Sequence, residues 1–554
     1  MSTSHPTYPS LAPSRIRALT LLVAVFAFFF AAYTFTQSGD IFSTGDTTIR
    51  IQIAENILGR LSWDLHGWHL QFPHHLKKEF LDPRVSKCSQ GRTCSTYLLG
   101  QPLAIIPFDK LGSALAVHLR WPYGVTVAWF ARLVGPLFGA LEVALFFVFA
   151  MRLGYGLRRS LLLTAVFGFA TSVWPDEQSV LEHTEVAFFL LLAFYLAFRY
   201  REQHRNWPYL IYSGAALGGA AITRYQDAFL GAVALGIYLI LPRGPDRTLL
   251  QRARSVVLFG IGLLPFVAVD LWYNWIRFGS VFATGHYETL FGEPITTGAA
   301  GLLVSPGKGL LWYCPVIFLL VFAGPRFYRR YPMFSLASLA VFAGFVLLYA
   351  NVTFWHGDPT WGPRYLYPTI PFFTLPLGEI LGIRTRYSHG IWAISALVVA
   401  ASFTIQFSAV SVSQWRTWYK VIQYEGRQGH PWEWIAARYR YFWDPHESPL
   451  YFQLHGLYQM TYDTLLQSNK YEIVPPDENP TLDGVTTDFA INQWNFWWAS
   501  NEFDWWMGER KIMLGMTALV SIMLAAGVYL TAEAAGGFAR EPARSPEVPI
   551  PEAA

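Results

Sequence analysis

The sequence predicts an all-α polytopic membrane protein with about 12 transmembrane helices, on the strength of its apolarity, its block structure and the placement of its arginines. Of 554 residues, 53% are hydrophobic, 17% aromatic and only 14% charged, where a soluble globular chain carries roughly a quarter charged residues. The apolar residues gather in blocks of near-spanning length at 16–36, 124–151, 160–174, 181–198, 208–223, 225–242, 254–275, 309–324, 333–353, 365–383, 389–411 and 511–531. A helix needs roughly 20 such residues to cross the hydrocarbon.

The arginines set the orientation. With Arg15 and Arg17 on the cytoplasmic side, every second loop should also be cytoplasmic and basic. Those loops hold Arg152, Arg158 and Arg159; Arg199, Arg201 and Arg205; Arg243, Arg247, Arg252 and Arg254; Arg326, Arg329 and Arg330; and Arg384 and Arg386. The loops near 37–123, 174–180, 276–308 and 353–364 are then outside, together with 412–510. The first block lacks a small-residue cleavage pattern, so it reads as a membrane helix and not as a signal peptide.

Four regions follow: a transmembrane catalytic module over 1–411, a non-cytoplasmic aromatic-rich segment over 412–510, a last membrane helix over 511–532, and a cytoplasmic tail over 533–554. Pro, Glu and Ala in the tail predict disorder. The tryptophans of the outer segment, among them Trp443, Trp494, Trp497 and Trp498, suit an interfacial belt or a platform on which sugar rings stack. A net charge of +4 without a basic stripe excludes a nucleic-acid partner. Cys88 and Cys94, close together in a polar segment, predict a disulfide in an oxidising compartment. A pair of cysteines without histidine is a poor zinc site.

The residues with chemical potential lie in the outer loops. Asp46 opens an amphipathic stretch with Ile49, Ile53, Ala54 and Ile57 at helical spacing, expected to lie on the membrane surface. Asp46 suits a helix cap or a general base, and Arg50 one turn later suits an ion pair with it. Glu182, His183 and Glu185 sit at the outer end of an apolar helix, where ionisable groups are costly unless paired or functional. Cation binding, acceptor orientation and a satisfied buried network all remain open for them. Arg224 and Asp227 interrupt an apolar run, and Lys308 lies in a Gly- and Pro-punctuated loop that lacks the Walker spacing. Asp358 and Arg364 belong to Trp355-His-Gly-Asp-Pro-Thr-Trp-Gly-Pro-Arg364. An arginine there snorkels to headgroups or clamps an anion.

The order of these features resembles the GT-C superfamily of membrane glycosyltransferases, particularly the branch of protein mannosyltransferases and the aminoarabinose- or arabinofuranosyltransferases. The resemblance is carried by GDTTIRIQIAENIL from Gly45, GRTCSTYLLGQP from Gly91, LLVSPGKGLLWYCP over 302–315 and WGPRYLYPTIPF over 361–372, and it covers about 16–386. Where many members have a second acid after the first, this chain has Thr47. The resemblance implies sugar transfer from a polyprenyl-phosphate donor to a cell-envelope glycan, lipid or protein acceptor, on the outer face of a bacterial inner membrane. Asp46 would be the base, with Glu182 and Glu185 as the further acids of a catalytic set. Arg50, His183, Arg224, Lys308, Asp358 and Arg364 would bind substrate, and participation of a divalent cation stays open. The rival class is a secondary transporter or lipid flippase, whose charges would mark a path at mid-depth; no inverted repeat is visible in the sequence.

A topology reporter fused after Trp443 should score non-cytoplasmic, and a cytoplasmic signal would end this orientation.

Overall fold

The computed structural model describes residues 15–39, 45–60, 85–89, 91, 93–178, 181–202, 206–241, 248–285, 291–357, 360–413, 439–466, 494–499 and 510–539. Its helices are α1 (Arg15–Phe35), α2 (Gly45–Arg60), α3 (Gly100–Leu119), α4 (Tyr123–Ala131), α5 (Val134–Arg152), α6 (Leu157–Phe169), α7 (Val173–Asp176), α8 (His183–Glu202), α9 (Pro208–Thr223) and α10 (Tyr225–Ile240). They continue as α11 (Leu249–Phe278), α12 (Ile295–Val304), α13 (Leu310–Tyr313), α14 (Leu320–Arg330), α15 (Pro332–Ala350), α16 (Ile370–Thr374), α17 (Ser388–Ser411), α18 (Pro449–Leu466) and α19 (Arg510–Ala539). Among the described residues the strands are β1 (Val85–Lys87) and β2 (Thr93–Ser95), an antiparallel pair.

Each apolar block of the sequence falls on helical backbone, and six helices among the described residues are long and apolar enough to cross a membrane. Two blocks pass through 3-10 turns. Residues 309–324 pass through α13, a 3-10 turn at Pro315–Leu319 and the start of α14, while 365–383 runs as 3-10 turns on either side of α16. Pro315, Pro368, Pro371 and Pro376 each lack an N–H for the α-helical ladder, so the chain tightens or bends there.

Several expectations are corrected. The first outer loop contains α3, a 20-residue apolar helix that the hydropathy reading left within the loop because its apolar run is interrupted by Asp109 and Lys110. It packs against α2 and α4. The apolar face of α2 is not spread on a membrane: Ile49, Ile53 and Ile57 are buried with Leu99 at the start of α3 and Tyr273 of α11. Nor do Trp497 and Trp498 form an interfacial belt. Trp497 is fully buried and donates its indole N–H to the Thr34 carbonyl (2.9 Å), and Trp498 does the same to Phe35 (2.9 Å). A buried indole needs such a partner, and the last turn of α1 supplies it through carbonyls left open at a helix end. The last helix also reaches further than expected, to Ala539, into the tail predicted as disordered.

The bundle has two distinct ends. At one, Arg152 meets Glu202 (2.6 Å), Arg201 donates to the Leu241 carbonyl (2.9 Å), Arg330 meets Glu379 (3.3 Å), and Tyr331 donates to the Leu153 carbonyl (2.9 Å). These are the turns on which the arginine bias rests. The starts of α5, α8 and α10 and the ends of α9 and α15 therefore all lie at the opposite end, where the candidate site is. Cys88 and Cys94 form the expected disulfide, with Cα atoms 5.5 Å apart.

Close helix approach depends on glycine. At the α9–α11 contact, a Cβ added to Gly262 would collide with the Ile211 carbonyl oxygen, and one on Gly214 with that of Phe259. Without a hydrophobic force between helices in lipid, such small-residue contacts carry the association. Gly262→Ala should lower the thermal midpoint in detergent, as overpacking costs about 1–3 kcal/mol. Gly260→Ala, where nothing lies within 4 Å of the added Cβ, should leave it unchanged or raised, because Ala is the better helix former.

Candidate active site

Glu182 precedes α8 by one residue, so it stands at the end of the bundle opposite the arginine-rich turns. Arg50, in the second turn of α2, reaches across to it and donates through Nη2. Arg224, in the break between α9 and α10, donates Nη1 to the other Glu182 oxygen at 2.7 Å. One carboxylate thus joins three segments that are far apart in sequence. Arg224 has an extended backbone (φ −152°, ψ 95°) that ends α9 and starts α10, which turns its side chain toward Glu182. Its Nε meets Asp227 Oδ2 at 3.0 Å and its Nη2 donates to the Tyr349 hydroxyl at 2.7 Å, and that hydroxyl donates to Asp227 Oδ1.

The aromatic floor extends the network. Tyr349 and Tyr365 stack with ring centroids 4.4 Å apart and planes within 3°. Arg224 lies 5.6 Å from the Tyr365 centroid, Arg364 lies 5.0 Å from it, and His183 meets it edge-on at 5.8 Å. Arg364 Nη2 also donates to the Tyr365 hydroxyl (3.2 Å). His183, Arg224 and Arg364 therefore share the Tyr365 ring, and Arg224 lies almost equally near its neighbour Tyr349, 5.7 Å from that centroid. Lys308 is fully buried, and its ammonium donates to the Thr360 carbonyl of the loop that leads to Arg364.

Glu185 lies one turn into α8, against Gln101 and Thr223, though its Oε1 completes no hydrogen bond of normal geometry. Beneath the network is a second group of acids. Tyr367 donates to Glu142 Oε2 at 2.8 Å, and the Glu177 carboxyl fills the space where a Cβ on Gly139 would stand. Asp176 and Glu177 follow α6 in the short turn around α7.

Of the residues singled out by sequence, Arg50, Glu182, His183, Arg224 and Arg364 are brought together, Glu185 adjoins them, and Lys308 sits behind the Arg364 loop. Asp46 occupies the first turn of α2, one turn before Arg50 and so on the same face, but its side chain lies outside the described residues, as does Asp358. Sequence reasoning missed Tyr97, Tyr349, Tyr365 and Tyr367, because a tyrosine among so many aromatics carries no signal of its own. It also missed Glu142, although a carboxylate inside an apolar block is a signal. Asp227, singled out with Arg224, is its ion-pair partner. Among the described residues, no group of three or more His, Cys, Asp or Glu is arranged to hold a metal ion.

No family model matches this chain, and no curated protein does. Solved structures similar to it include ArnT from Cupriavidus metallidurans in the apo state, at 13% identity and a TM-score of 0.44, covering 84% of this chain and 82% of that one. The same protein bound to undecaprenyl phosphate gives 12% identity, a TM-score of 0.39 and coverage of 83% and 82%. An archaeal oligosaccharyltransferase, AglB from Archaeoglobus fulgidus, in complex with an inhibitory peptide and a dolichol-phosphate, gives 12%, 0.37, and coverage of 78% and 60%.

Electrostatics separate the acids. At Glu182, Arg50 and Arg224 each pair with one carboxylate oxygen. For Asp176 burial wins: its carboxyl is pushed from the ordinary 3.8 up to about 7, with Arg364 opposing and the charge of Glu182 adding. A carboxyl raised in the folded state binds more protons there than in the unfolded chain, so it lowers stability progressively as pH rises from about 4 to about 7. Asp176→Asn should therefore flatten the decline of the unfolding midpoint between pH 4 and 7 relative to wild type. An unchanged slope would show that Asp176 is not the titrating group.

Proposed function

We propose that this protein is a GT-C-type glycosyltransferase that moves a sugar from a polyprenyl-phosphate donor to a cell-envelope glycan, lipid or protein acceptor. Its active site would be on the non-cytoplasmic face of a bacterial inner membrane, with both termini cytoplasmic and about 12 spans. The observation that carries this reading is the Arg50–Glu182–Arg224 junction. It gathers the first outer loop, the second outer loop and the α9–α10 break at one mouth of a lipid-embedded bundle, beside Arg364. Of these segments, the first outer loop and the one that holds Arg364 also bear motifs of the resemblance.

In the transfer, the acceptor hydroxyl oxygen attacks the anomeric carbon while Asp46 takes its proton. The bond from that carbon to the phosphate oxygen breaks, and the electron pair leaves with the phosphate. An inverting transfer of this kind needs one base and a stabilised leaving group. Glu182, held ionised by two arginines, is a weak proton acceptor, so we assign it to positioning and leave Asp46 as the base. Arg364, partly buried on the Tyr365 ring, is assigned to the departing phosphate. Lys308 would support the loop that presents it. Glu185 and His183 would face the sugar or the acceptor, and Asp358 would join them from the loop before Arg364.

Asp46→Asn distinguishes a base from a helix cap. Asn still accepts from helix N–H groups, so a cap would lose about 1 kcal/mol or less. A base would be disabled, and turnover should fall about 10²- to 10⁴-fold with folding and donor binding nearly intact. Near-normal turnover of purified Asp46→Asn with a polyprenyl-phosphate sugar would reject the assignment.

A further inference from the structure

The β1–β2 hairpin lies outside the proposed reaction, yet its contacts lead to the site. Cys88 and Cys94 close it. It is seated on the outer end of α11 by Arg277, a buried residue whose Nη1 donates to the carbonyls of Ser95 (2.6 Å) and Tyr97 (2.9 Å). Arg277 Nη2 donates to Asn274 Oδ1 (2.9 Å), its guanidinium lies 3.7 Å from the Tyr273 ring centroid, and its carbonyl accepts from the Ser89 N–H (2.8 Å). One arginine thus grips the hairpin on both sides of the disulfide. Two residues past β2, the Tyr97 ring lies against the Arg50 guanidinium at 4.2 Å, and Arg50 reaches Glu182.

We propose that Tyr97 is a positioning residue of the active site, and that the disulfide-closed hairpin, clamped by Arg277, is the support that holds it under Arg50. The physical need is specific. A long arginine side chain has many rotamers, and holding one costs conformational entropy. An aromatic face beneath the guanidinium plane favours the one orientation that meets Glu182, with an attraction that grows when water is excluded. The assignment of a catalytic consequence rests on the function proposed above, whereas the coupling of Tyr97 to Arg50 does not.

The test uses purified full-length protein in detergent, with two readouts: the thermal unfolding midpoint, and turnover of a panel of undecaprenyl-phosphate-linked hexoses and pentoses. Tyr97→Leu should lower kcat about 3- to 30-fold, the span of a partly to fully desolvated cation–π contact, with the donor KM within about twofold. Tyr97→Phe, which keeps the ring face, should restore kcat to within about twofold. In an Arg50→Leu background, Tyr97→Leu should lower the unfolding midpoint less than it does in the wild-type background, the remainder being its packing against Ile49, Ile53 and Leu99. Tyr97→His adds a readout that packing alone would not move. Its ring attracts Arg50 when neutral and repels it when protonated, so turnover should fall below about pH 6.5 relative to Tyr97→Phe.

For the hairpin, a dithiol reductant delivers two electrons and two protons to the Cys88–Cys94 bond, giving two thiols and the oxidised dithiol. Wild-type kcat should then fall to that of the Cys88→Ser/Cys94→Ser variant, which the reductant leaves unchanged. Equal kcat for Tyr97→Leu and wild type, equal loss for Tyr97→Leu and Tyr97→Phe, or additive effects with Arg50→Leu would each overturn the positioning role. Reductant-insensitive wild-type turnover would overturn the hairpin's part in it. If no donor in the panel is turned over by wild type, the proposed function fails, and the unfolding cycle still decides the coupling.

Discussion

The sharing of one carboxylate, Glu182, by Arg50 and Arg224 is the constraint on which the outer end of this protein depends. Removing charges from water is costly, and a buried pair is tolerated only when its geometry and remaining hydrogen bonds are satisfied. Here the requirement is met by the donation of Arg224 to Tyr349 and its contact with Asp227, and by the seating of Arg50 on Tyr97. Taking away one member of such a network leaves a buried charge without its counterpart, which costs roughly 3–5 kcal/mol. That penalty fixes how α2, α8, α9, α10 and α15 stand relative to one another at this end, while packing decides the rest of their length.

That packing is of a different kind. Along the bundle the helices are held by stacked and edge-on rings, such as Phe146 on Phe167 with centroids 4.1 Å apart, and by glycines that let backbones approach. Dispersion contacts of this sort are short-ranged and tolerant of direction. The polar network at the mouth demands direction, which irregular backbone supplies there. The extended Arg224 and the 3-10 turn that begins at Arg364 both place a cation where a regular helix would have turned it elsewhere. Irregular backbone at membrane depth is tolerable only where protein satisfies it.

Much of this was legible in the sequence. Apolar blocks found the helices because the bilayer forces a long uniform signal, and the arginine bias separated the two ends because it repeats over many loops. The missing α3 shows the limit: Asp109 and Lys110 lower its hydropathy, yet Asp109 is buried in the structure. The position of α2 was misread for a related reason. An apolar stripe says that a face is covered, but not whether lipid or protein covers it. At the site, ionisable residues in apolar surroundings were visible, since their cost marks them. Their partners were not. Glu182 and Arg50 are 132 positions apart, and Arg224 and Tyr349 are 125 apart; no local spacing encodes such pairs.

The pairing also bears on which cation faces a phosphate. Arg50 and Arg224 are tied in one network to Glu182 and Asp227. An incoming phosphate would have to compete there with carboxylates already held at hydrogen-bond distance. The charge of Arg364 bears on Asp176, whose proton is held up to about pH 7. With that proton in place the local field is more positive, and at higher pH the field falls as Asp176 ionises. The proposed assignment of phosphate stabilisation to Arg364 leaves the Arg50–Glu182–Arg224 network the task its directed hydrogen bonds suit, which is to hold α2 and its first turn in one place.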